Sequence, residues 1–280
     1  MPRAKPKETE DSGPADAKTD RQFVTALARG LDILRCFTEK RAELSSSEIA
    51  QLTGLPQPTA WRLCYTLVKC GFLVSLPSKD KLRLGMPVLG LGLAALSMTH
   101  FGEVVQQEMQ RLADDFHAAV SIAVPDRLEM LVLKRARSDG MLLVNLHVGS
   151  RLPIATSSLG WAYAASLPEA ERAQLLEQLA AAHGDDWPQL REHMTQAIAG
   201  FDRRGYVVNS SHYHPEINAI AVPIVGEQPR DTMVITCGGP ATLVRVPQLE
   251  NEVAPRLLEL AATIRAVNAS SGGGGLPWMR

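Results

Sequence analysis

Residues 45–73 read SSSEIAQLTGLPQPTAWRLCYTLVKCGFL and carry the local signals of two short helices joined by a tight turn. Ser45 and Glu48 stand three residues apart, the spacing of a capping box, in which the two side chains accept hydrogen bonds from each other's backbone N–H groups. Gly54 tolerates the positive φ that ends such a helix. Pro56 and Pro58 suit the first turn of the next helix, where a missing N–H costs no hydrogen bond. The stretch therefore predicts a helix-turn-helix.

The flanking residues extend this unit into a winged helix-turn-helix. Before it, apolar residues recur at helical spacing from Leu27 to Phe37. After it, residues 72–85 alternate apolar and polar side chains around a Pro-Ser-Lys-Asp turn, which predicts a short basic hairpin. Three helices and such a hairpin are typical of DNA-binding domains. The positions predicted to face inward are Leu27, Leu31, Leu34, Phe37, Ile49, Ala50, Leu52, Ala60, Leu63, Cys64, Leu67, Phe72, Val74, Leu76, Leu82 and Leu84.

Charge is divided unevenly along the 280 residues, although the net charge is only −1. Residues 21–84 contain ten Lys/Arg and five Asp/Glu, whereas residues 85–280 contain fifteen and twenty. A basic module on an acidic body indicates that one part contacts a polyanion. The sequence has neither a run of about 20 apolar residues that could span a membrane nor a secretory signal. We therefore expect a cytoplasmic protein without a membrane partner.

The pattern predicts five segments. Residues 1–20 have almost nothing to bury and are expected to be disordered, 21–84 form the winged domain, and 268–280 form a flexible tail. Residues 85–100 are apolar on nearly every side, which predicts a linker helix buried by dimerisation. Residues 101–267 form an α+β domain. Its strands are predicted over 118–125, 129–135, 142–148, 205–209, 217–224 and 232–239, and its helices over 101–116, 157–166, 168–181, 187–203 and 247–267.

Four stretches occur in an order that is specific to one family. LSSSEIAQLTGLPQPTAWRLCYTLVKCGFL (44–73) precedes GSRLPIATSSLGWAYAAS (149–166), FDRRGYVVNSSHYHPEINAIAVPI (201–224) and VITCGGP (234–240). This order closely resembles the IclR family of bacterial transcriptional regulators, over residues 23–267. The resemblance implies operator DNA as one partner and a small organic effector, aromatic or carboxylic, as the other. It also implies an effector-binding domain of GAF-like fold and a homodimer or homotetramer, with no cofactor.

The outward face of the second helix of the motif is the predicted DNA-reading surface. Arg62 is the strongest candidate for base readout, because a guanidinium can donate two hydrogen bonds to guanine. Trp61 suits either packing against the hairpin or contact with the DNA backbone, and two serines at the first helix suit either capping or phosphate contact. The predicted DNA-binding residues are Ser46, Ser47, Gln57, Thr59, Trp61, Arg62, Tyr65, Lys79, Lys81 and Arg83.

Carried over from the family one position at a time, the effector contacts fall at the start of one helix and along three strands. Their mixture of hydroxyl, amide and apolar groups is typical of a small-ligand pocket. Trp161, where the family often has lysine, and the segment 212–216, where it often has an acidic residue and Pro-Gly, depart from the usual pattern and point to a different ligand. The predicted effector-binding residues are Ser158, Leu159, Asn209, Ile217, Ala219, Thr236 and Gly238.

The sequence also leaves three alternatives to an effector-responsive regulator. His212 and His214 alternate on an extended segment and would permit a metal-responsive regulator, but no third ligand stands out. Ser157, either histidine and Asp202 could form a catalytic triad, yet no G-x-S-x-G motif or phosphate loop is present, so we predict no enzyme. A scaffold that uses the winged domain for protein contacts is the remaining alternative. The four cysteines, Cys36, Cys64, Cys70 and Cys237, are expected to be buried thiols rather than metal ligands.

Overall fold

The computed structural model describes residues 22–76, 79–97, 101–139, 146–226 and 228–270. It divides into two compact units, which meet in sequence at residues 93 and 94. Of the predicted tails and linker, residues 1–20, 98–100 and 271–280 lie outside the described residues, whereas 268–270 continue the last described helix and are not a flexible tail.

The N-terminal unit is a winged helix-turn-helix, as predicted. The capping box of α2 is present, since Ser45 N donates to Glu48 Oε2 at 2.7 Å and Glu48 N donates to Ser45 Oγ at 3.2 Å. Gly54 ends that helix with a φ of +68°, and the two hairpin strands pair antiparallel. The elements are α1 (Thr25–Arg35), α2 (Ser46–Thr53), α3 (Gln57–Lys69), β1 (Leu73–Leu76) and β2 (Lys81–Leu84).

The small core of this unit corrects several predicted positions. Its buried members are Ile33, Cys36, Phe37, Leu44, Ile49, Cys64 and Leu73. In β1 the buried residue is Leu73, and Val74 is exposed, so the predicted alternation was wrong by one residue. Both faces of the strand carry apolar residues, and the sequence alone does not decide between them. Four more predicted inward residues or thiols are exposed: Leu27, Leu31, Leu52 and Cys70.

The predicted linker helix forms as α4 (Pro87–Ser97), and none of its residues is buried. Leu89, Leu91 and Leu93 are each more than half exposed. No single helix of the described residues is long and apolar enough to cross a membrane, and α4 reaches that length and composition only when counted together with a separate helix over Gly102–Asp115.

The C-terminal unit is an α+β domain built on one six-stranded antiparallel sheet in the order β5-β4-β3-β8-β7-β6. Helices α5 and α11 cover one face, and α6, α7 and α8 cover the other. Its elements are α5 (Gly102–Asp115), β3 (Ala119–Asp126), β4 (Glu129–Arg137), β5 (Arg151–Pro153), α6 (Ser158–Ser166), α7 (Glu169–His183), α8 (Trp187–Ile198), α9 (Phe201–Arg204), β6 (Val207–Ser210), β7 (Ile217–Ile224), β8 (Met233–Pro240), α10 (Val246–Gln248) and α11 (Ala254–Ser270).

Two predicted elements of this unit differ from the structure. Of the strand predicted over 142–148, residues 142–145 lie outside the described residues and 146–148 are not a strand; the edge strand is the short β5 instead. The helix predicted over 187–203 is divided into α8 and α9, because Gly200 has a φ of +83° that interrupts it.

A β-bulge in β4 changes which side chains face α6. Ile122 of β3 pairs with Lys134, but the next residue, Ala123, pairs with Val132, so Leu133 has no partner across the strands. An extra residue of this kind shifts the alternation of side chains by one position. Val132 before the bulge and Arg135 after it therefore lie on the same face of the sheet.

Candidate DNA-binding surface and ligand cavity

The outward side of α3 presents aromatic and cationic groups. Trp61 is 56% exposed and Tyr65 is 52% exposed, and their rings stack with centroids 5.7 Å apart. Lys69 Nζ lies 5.4 Å from the centroid of the Tyr65 ring. Trp61 thus packs along its own helix. Arg62 is exposed, and its guanidinium makes no hydrogen bond or ion pair with any other described residue.

Three of the predicted DNA-binding residues lie together where α2 and α3 begin. The Gln57 side-chain amide donates to the hydroxyls of Ser46 and Ser47 at 3.2 and 3.1 Å. Ser45, and not either of these serines, caps α2. The hydroxyls of Ser46 and Ser47 therefore stand beside the free N–H groups of the first turn, where phosphate oxygens are commonly bound. Thr59 is partly buried in the first turn of α3.

The basic residues of the hairpin are not equivalent. Lys79 Nζ lies 3.0 Å from Glu43 Oε2, and Lys81 Nζ lies 3.9 Å from Glu48 Oε2. Arg83 is exposed and has no ion pair within the described part of the chain. Exposed pairs such as these are weak, but each carboxylate competes with a DNA phosphate for its lysine. Arg83 is thus the hairpin cation with no such competitor.

A cavity lies in the C-terminal unit between the sheet and the start of α6. Its volume is about 60 Å³. All seven predicted effector-binding residues line it. The complete lining is Ala119, Ser121, Val132, Arg135, Leu146, Leu152, Ser157, Ser158, Leu159, Asn209, Tyr213, Ile217, Ala219, Thr236 and Gly238.

Two rows of residues across neighbouring strands form the floor of the cavity. In one row, Thr236 of β8 pairs with Ser121 of β3, and Ser121 pairs with Arg135 of β4. We call this the polar row. In the other, Ala219 of β7 pairs with Gly238 of β8, and Gly238 pairs with Ala119 of β3. We call this the small row. The polar row brings hydroxyls and a cation to the floor, and the small row leaves the space above it empty.

The start of α6 is held close to the segment before it. A Cβ on Gly160 would lie 2.2 Å from the Cα of Ile154, so only glycine fits there. Ser157 Oγ caps the helix by accepting from Gly160 N at 3.1 Å, and it donates to Pro153 O at 2.7 Å. Ser157 is therefore occupied with capping and not with a histidine, which removes the triad reading. These contacts give a physical reason for the residues RLPIATSSLG (151–160) within the second family stretch.

Hydroxyl groups join α6 to the floor. The Oγ of Ser158 lies 3.1 Å from the Oγ1 of Thr236, and Thr236 Oγ1 donates to Ile220 O at 2.8 Å. Because the Thr236 proton is used in that bond, Ser158 is the donor of the pair. The backbone N–H groups of Ser158 and Leu159 belong to the first turn, so they have no partner within the helix.

Arg135 is the charged residue of the cavity wall. Its Nη1 donates to Ser121 Oγ at 3.3 Å, and its buried Nε has no hydrogen-bond partner among the residues that the structure describes. No carboxylate of the described residues is within salt-bridge distance of it. Burial lowers the pKa of the Arg135 guanidinium, and the neighbouring Arg137 lowers it further. The cavity thus contains a partly buried cation without a counter-ion among the described residues.

The two departures from the family pattern contact each other through the rings of Trp161 and His212. The rings of Trp161 and His212 have centroids 5.5 Å apart. The ring centroids of His212 and His193, a residue of α8, are 4.3 Å apart. Partial burial lowers the pKa of His212, and His193 lowers it further. Trp161 Nε1 donates to Ala155 O at 2.8 Å. Trp161 therefore supports the wall of the cavity and does not form part of its lining.

The metal-responsive alternative is not supported. Across the described residues, no group of three or more His, Cys, Asp or Glu side chains could hold a metal ion. His214 Nδ1 accepts from the backbone N–H of Glu216 at 3.4 Å, and His212 stacks against other rings.

Sequence reasoning missed the cavity residues that come from the middle of strands. Arg135 stands in the run KRAR, which resembles a solvated charged edge, and only the bulge places it in the cavity. Ser121 and Ala119 alternate with apolar residues in β3, a pattern that indicates a face but not a site. Tyr213 was part of the unusual 212–216 segment, and this departure was the one available signal for it.

Comparison with known proteins identifies both units. A family model of the IclR helix-turn-helix domain matches residues 26–77, and one of the bacterial transcriptional regulator IclR C-terminal domain matches residues 93–266. The HTH-type transcriptional regulator TsaQ1/TsaQ2 of Comamonas testosteroni is 30% identical, over 87% of this chain and 88% of its own.

Solved structures agree with this assignment. An IclR family transcriptional regulator from Brucella abortus is 39% identical, with a TM-score of 0.84 over 91% of this chain and 96% of its own. An IclR homolog from Microbacterium hydrocarbonoxydans, solved in complex with 4-hydroxybenzoate, is 26% identical, with a TM-score of 0.64 over 86% of this chain and 98% of its own.

Proposed function

The chain belongs to the IclR family of bacterial transcriptional regulators, a family of DNA-binding proteins and not of enzymes, and on that premise we propose how its two units divide the work. The N-terminal unit binds operator DNA through α3 and the hairpin. The cavity of the C-terminal unit binds a small organic effector, and the bound effector changes the affinity of the protein for its operator.

The cavity is the observation that carries the effector assignment. All seven residues expected to contact an effector lie on its wall, although they come from α6, β6, β7 and β8. Its lining combines apolar side chains with a few hydroxyls and one cation, which is the usual composition of a small-molecule site. The relative from Microbacterium hydrocarbonoxydans holds 4-hydroxybenzoate, a molecule built on one ring, and a cavity of about 60 Å³ suits a ligand of that small class.

The exposed side of α3 supports direct reading of DNA bases. Arg62 is exposed and has no competing partner among the described residues, so its guanidinium is available to a guanine edge. Gln57, Ser46 and Ser47 form one hydrogen-bonded group beside the start of both helices. That group suits contact with phosphates, which position the protein without reading the sequence. A scaffold that avoids DNA would not need this arrangement.

Helix α4 supports a homodimer as the smallest functional assembly. It has three leucines more than half exposed and no buried residue. A surface of this kind is stable in water only when a partner covers it. We assign the partner as a second copy of α4, with a tetramer formed by two such dimers. As a DNA-binding regulator of a bacterium, the protein would work in the cytoplasm.

The effector response follows from linkage between the two units. An effector alters DNA binding only if its affinity differs between the arrangements of the protein that can and cannot engage the operator. A ligand at about 100 times its Kd stabilises the form that it binds by about 2.7 kcal/mol. For a unit of this size, such a gain would raise the melting temperature by roughly 5–10 °C.

The test of this function fills the cavity. Ser158→Trp should occupy the space above Thr236, abolish the thermal shift produced by single-ring and short-chain carboxylic acids, and leave the DNA affinity of the ligand-free protein unchanged. Ser210→Trp is the matched control, since Ser210 is exposed and does not line the cavity. A normal ligand response in Ser158→Trp would place the effector site elsewhere.

A further inference from the structure

We propose that Arg135 is the residue that selects the charge of the effector, and that the effector is a monocarboxylate of about the size of benzoate, bound with its carboxylate against Arg135 and Ser121. The inference rests on the proposed function, because it takes the cavity to be the effector site.

The bulge in β4 is the first reason. In a regular strand without a bulge, the side chain at position 135 would share a face with Leu131, whose side chain packs toward α5 and α11. The bulge reverses the alternation and turns the Arg135 side chain to the α6 side. Bulges commonly re-aim a side chain beside a functional site. The strand therefore departs from regular pairing at the point that brings a cation into the cavity.

The unused hydrogen-bonding capacity of Arg135 is the second reason. A guanidinium has five N–H donors in a planar fork, and the described residues accept from only one of its nitrogens, through Ser121 Oγ at 3.3 Å. Its Nε is buried and has no partner within the described part of the chain. A partly buried cation with unpaired donors is costly unless a partner arrives. A carboxylate fits the fork in two parallel hydrogen bonds.

The surroundings of Arg135 limit the ligand to one charge and one small apolar body. Ser121 adds a hydroxyl to the same end of the cavity, while Val132, Leu146 and Leu152 offer only apolar contacts. A cavity of about 60 Å³ favours a molecule with a single ring over larger aromatic systems. A neutral molecule of the same shape would leave the guanidinium desolvated and unpaired. The site should therefore discriminate against neutral analogues by charge and not by size.

The experiment compares acids with amides of the same shape. Benzoate and 4-hydroxybenzoate, with benzamide and 4-hydroxybenzamide, are titrated into the full-length protein by calorimetry and followed by thermal shift. We expect the acids to bind about 10- to 100-fold more tightly than the amides, because a hydrogen bond to a charged group contributes more than a neutral one. Amides that bind as tightly as acids, or no binding by any of the acids, would overturn the proposal.

Variants at position 135 separate charge from shape. Arg135→Met should lose the preference for acids, and Arg135→Lys should keep part of it. Arg137→Met removes the same charge from an exposed position two residues along the strand and outside the cavity lining, so it should leave the preference intact. Without ligand, Arg135→Met should not lower the melting temperature, since the arginine has an unpaired buried nitrogen. A clear loss of stability would show a structural role instead.

The outcomes also separate this inference from the proposed function. Acid binding that Ser158→Trp abolishes but Arg135→Met does not alter would keep the cavity as the effector site and overturn the role of Arg135. Acid binding that Ser158→Trp does not alter would place the ligand outside the cavity and overturn both.

Discussion

The side-chain amide of Asn209 donates a 2.7 Å hydrogen bond to the carbonyl oxygen of Thr156. It thereby fastens β6 to the segment that leads into α6. The Oδ1 of the same side chain accepts from the backbone N–H groups of His212 and Tyr213, at 3.1 and 3.3 Å. Asn209 was expected to contact the effector. It lines the cavity, yet its polar atoms already hold two segments of backbone, so we expect it to position the cavity wall.

Asn209→Ala should therefore affect stability before it affects ligand preference. The substitution leaves one carbonyl and two N–H groups in a partly buried place without their partner, which should lower the free energy of unfolding by about 1–3 kcal/mol. Asn251→Ala removes the same group from an exposed position and should have little effect. Denaturant unfolding measures both. Equal stability of Asn209→Ala and the unmodified protein would show that the three hydrogen bonds contribute nothing.

Arg62 and the hairpin cations should contribute to DNA binding in different ways. Arg62→Ala should cost about 1–3 kcal/mol on a duplex that the protein selects from random DNA, and much less on a scrambled one, because a base contact discriminates. Arg83→Ala should weaken binding to both duplexes alike. It should also reduce by about one the slope of the logarithm of the binding constant against the logarithm of the salt concentration. Lys79→Ala should change the slope less, because Glu43 competes for that lysine.

Fluorescence titrations of the two duplexes at several salt concentrations measure these differences. Glu43→Gln is a useful control, since it frees Lys79 and should raise the affinity for both duplexes. If Arg62→Ala weakened the two duplexes equally, Arg62 would be a phosphate contact, and the register of α3 on the DNA would have to change.

The winged unit could be predicted closely because its signals are local. Ser45, Glu48 and Gly54 fix the ends of α2 through contacts within a few residues of each other. The predictions of buried positions were wrong where two apolar residues of one element could each have filled the same position in the core. In the hairpin, Leu73 and Val74 are adjacent and both apolar, and only packing against the helices decides that Leu73 is buried. On α1, Leu27 and Leu31 have helical spacing, but Ile33 occupies the core.

Leu93→Glu should separate the proposed dimer. Leu93 is 56% exposed on α4, and a carboxylate buried in an apolar interface is strongly unfavourable. We expect a monomer by sedimentation at low micromolar concentration, together with weaker operator binding. Ser97→Glu adds the same charge at a polar position on the same helix and should remain dimeric. A dimer of Leu93→Glu would place the contact between copies on another surface.

Acid should destabilise the C-terminal unit through His212. Its pKa lies below the ordinary value of 6.5, first because of partial burial and then because of His193. The unfolded chain therefore binds more protons than the folded one between these two values, and stability falls as the pH drops below about 6.5. His212→Gln should flatten the dependence of the unfolding free energy on pH, as measured by denaturant unfolding.

A second variant checks the cause of that shift. His193→Gln removes the neighbouring imidazole that opposes protonation of His212, so it should also flatten the dependence, by a smaller amount. An unchanged pH dependence in His212→Gln would mean that other groups cause the loss of stability in acid.

The cavity could be predicted in part, and its limits have a physical cause. The residues carried over from the family pattern, such as Ser158 and Thr236, lie at the site because the fold places them there. Arg135 could not be found in this way. The direction of the Arg135 side chain depends on the bulge at Leu133. A bulge arises from the pairing of two strands, which the sequence of one strand does not determine.

The two rows of the cavity floor allow ligand size and ligand charge to change independently. A Cβ on Gly238 would lie 2.8 Å from the Cβ of Ala219, so Gly238 cannot gain a side chain unless its neighbour moves. A larger side chain at Ala219 or Ala119 would limit the cavity to shorter ligands and leave Arg135 in place. Replacing Arg135 would change the ligand charge that the cavity accepts and leave its depth unaltered. A biosensor built on this protein could therefore be retuned to a new inducer one property at a time.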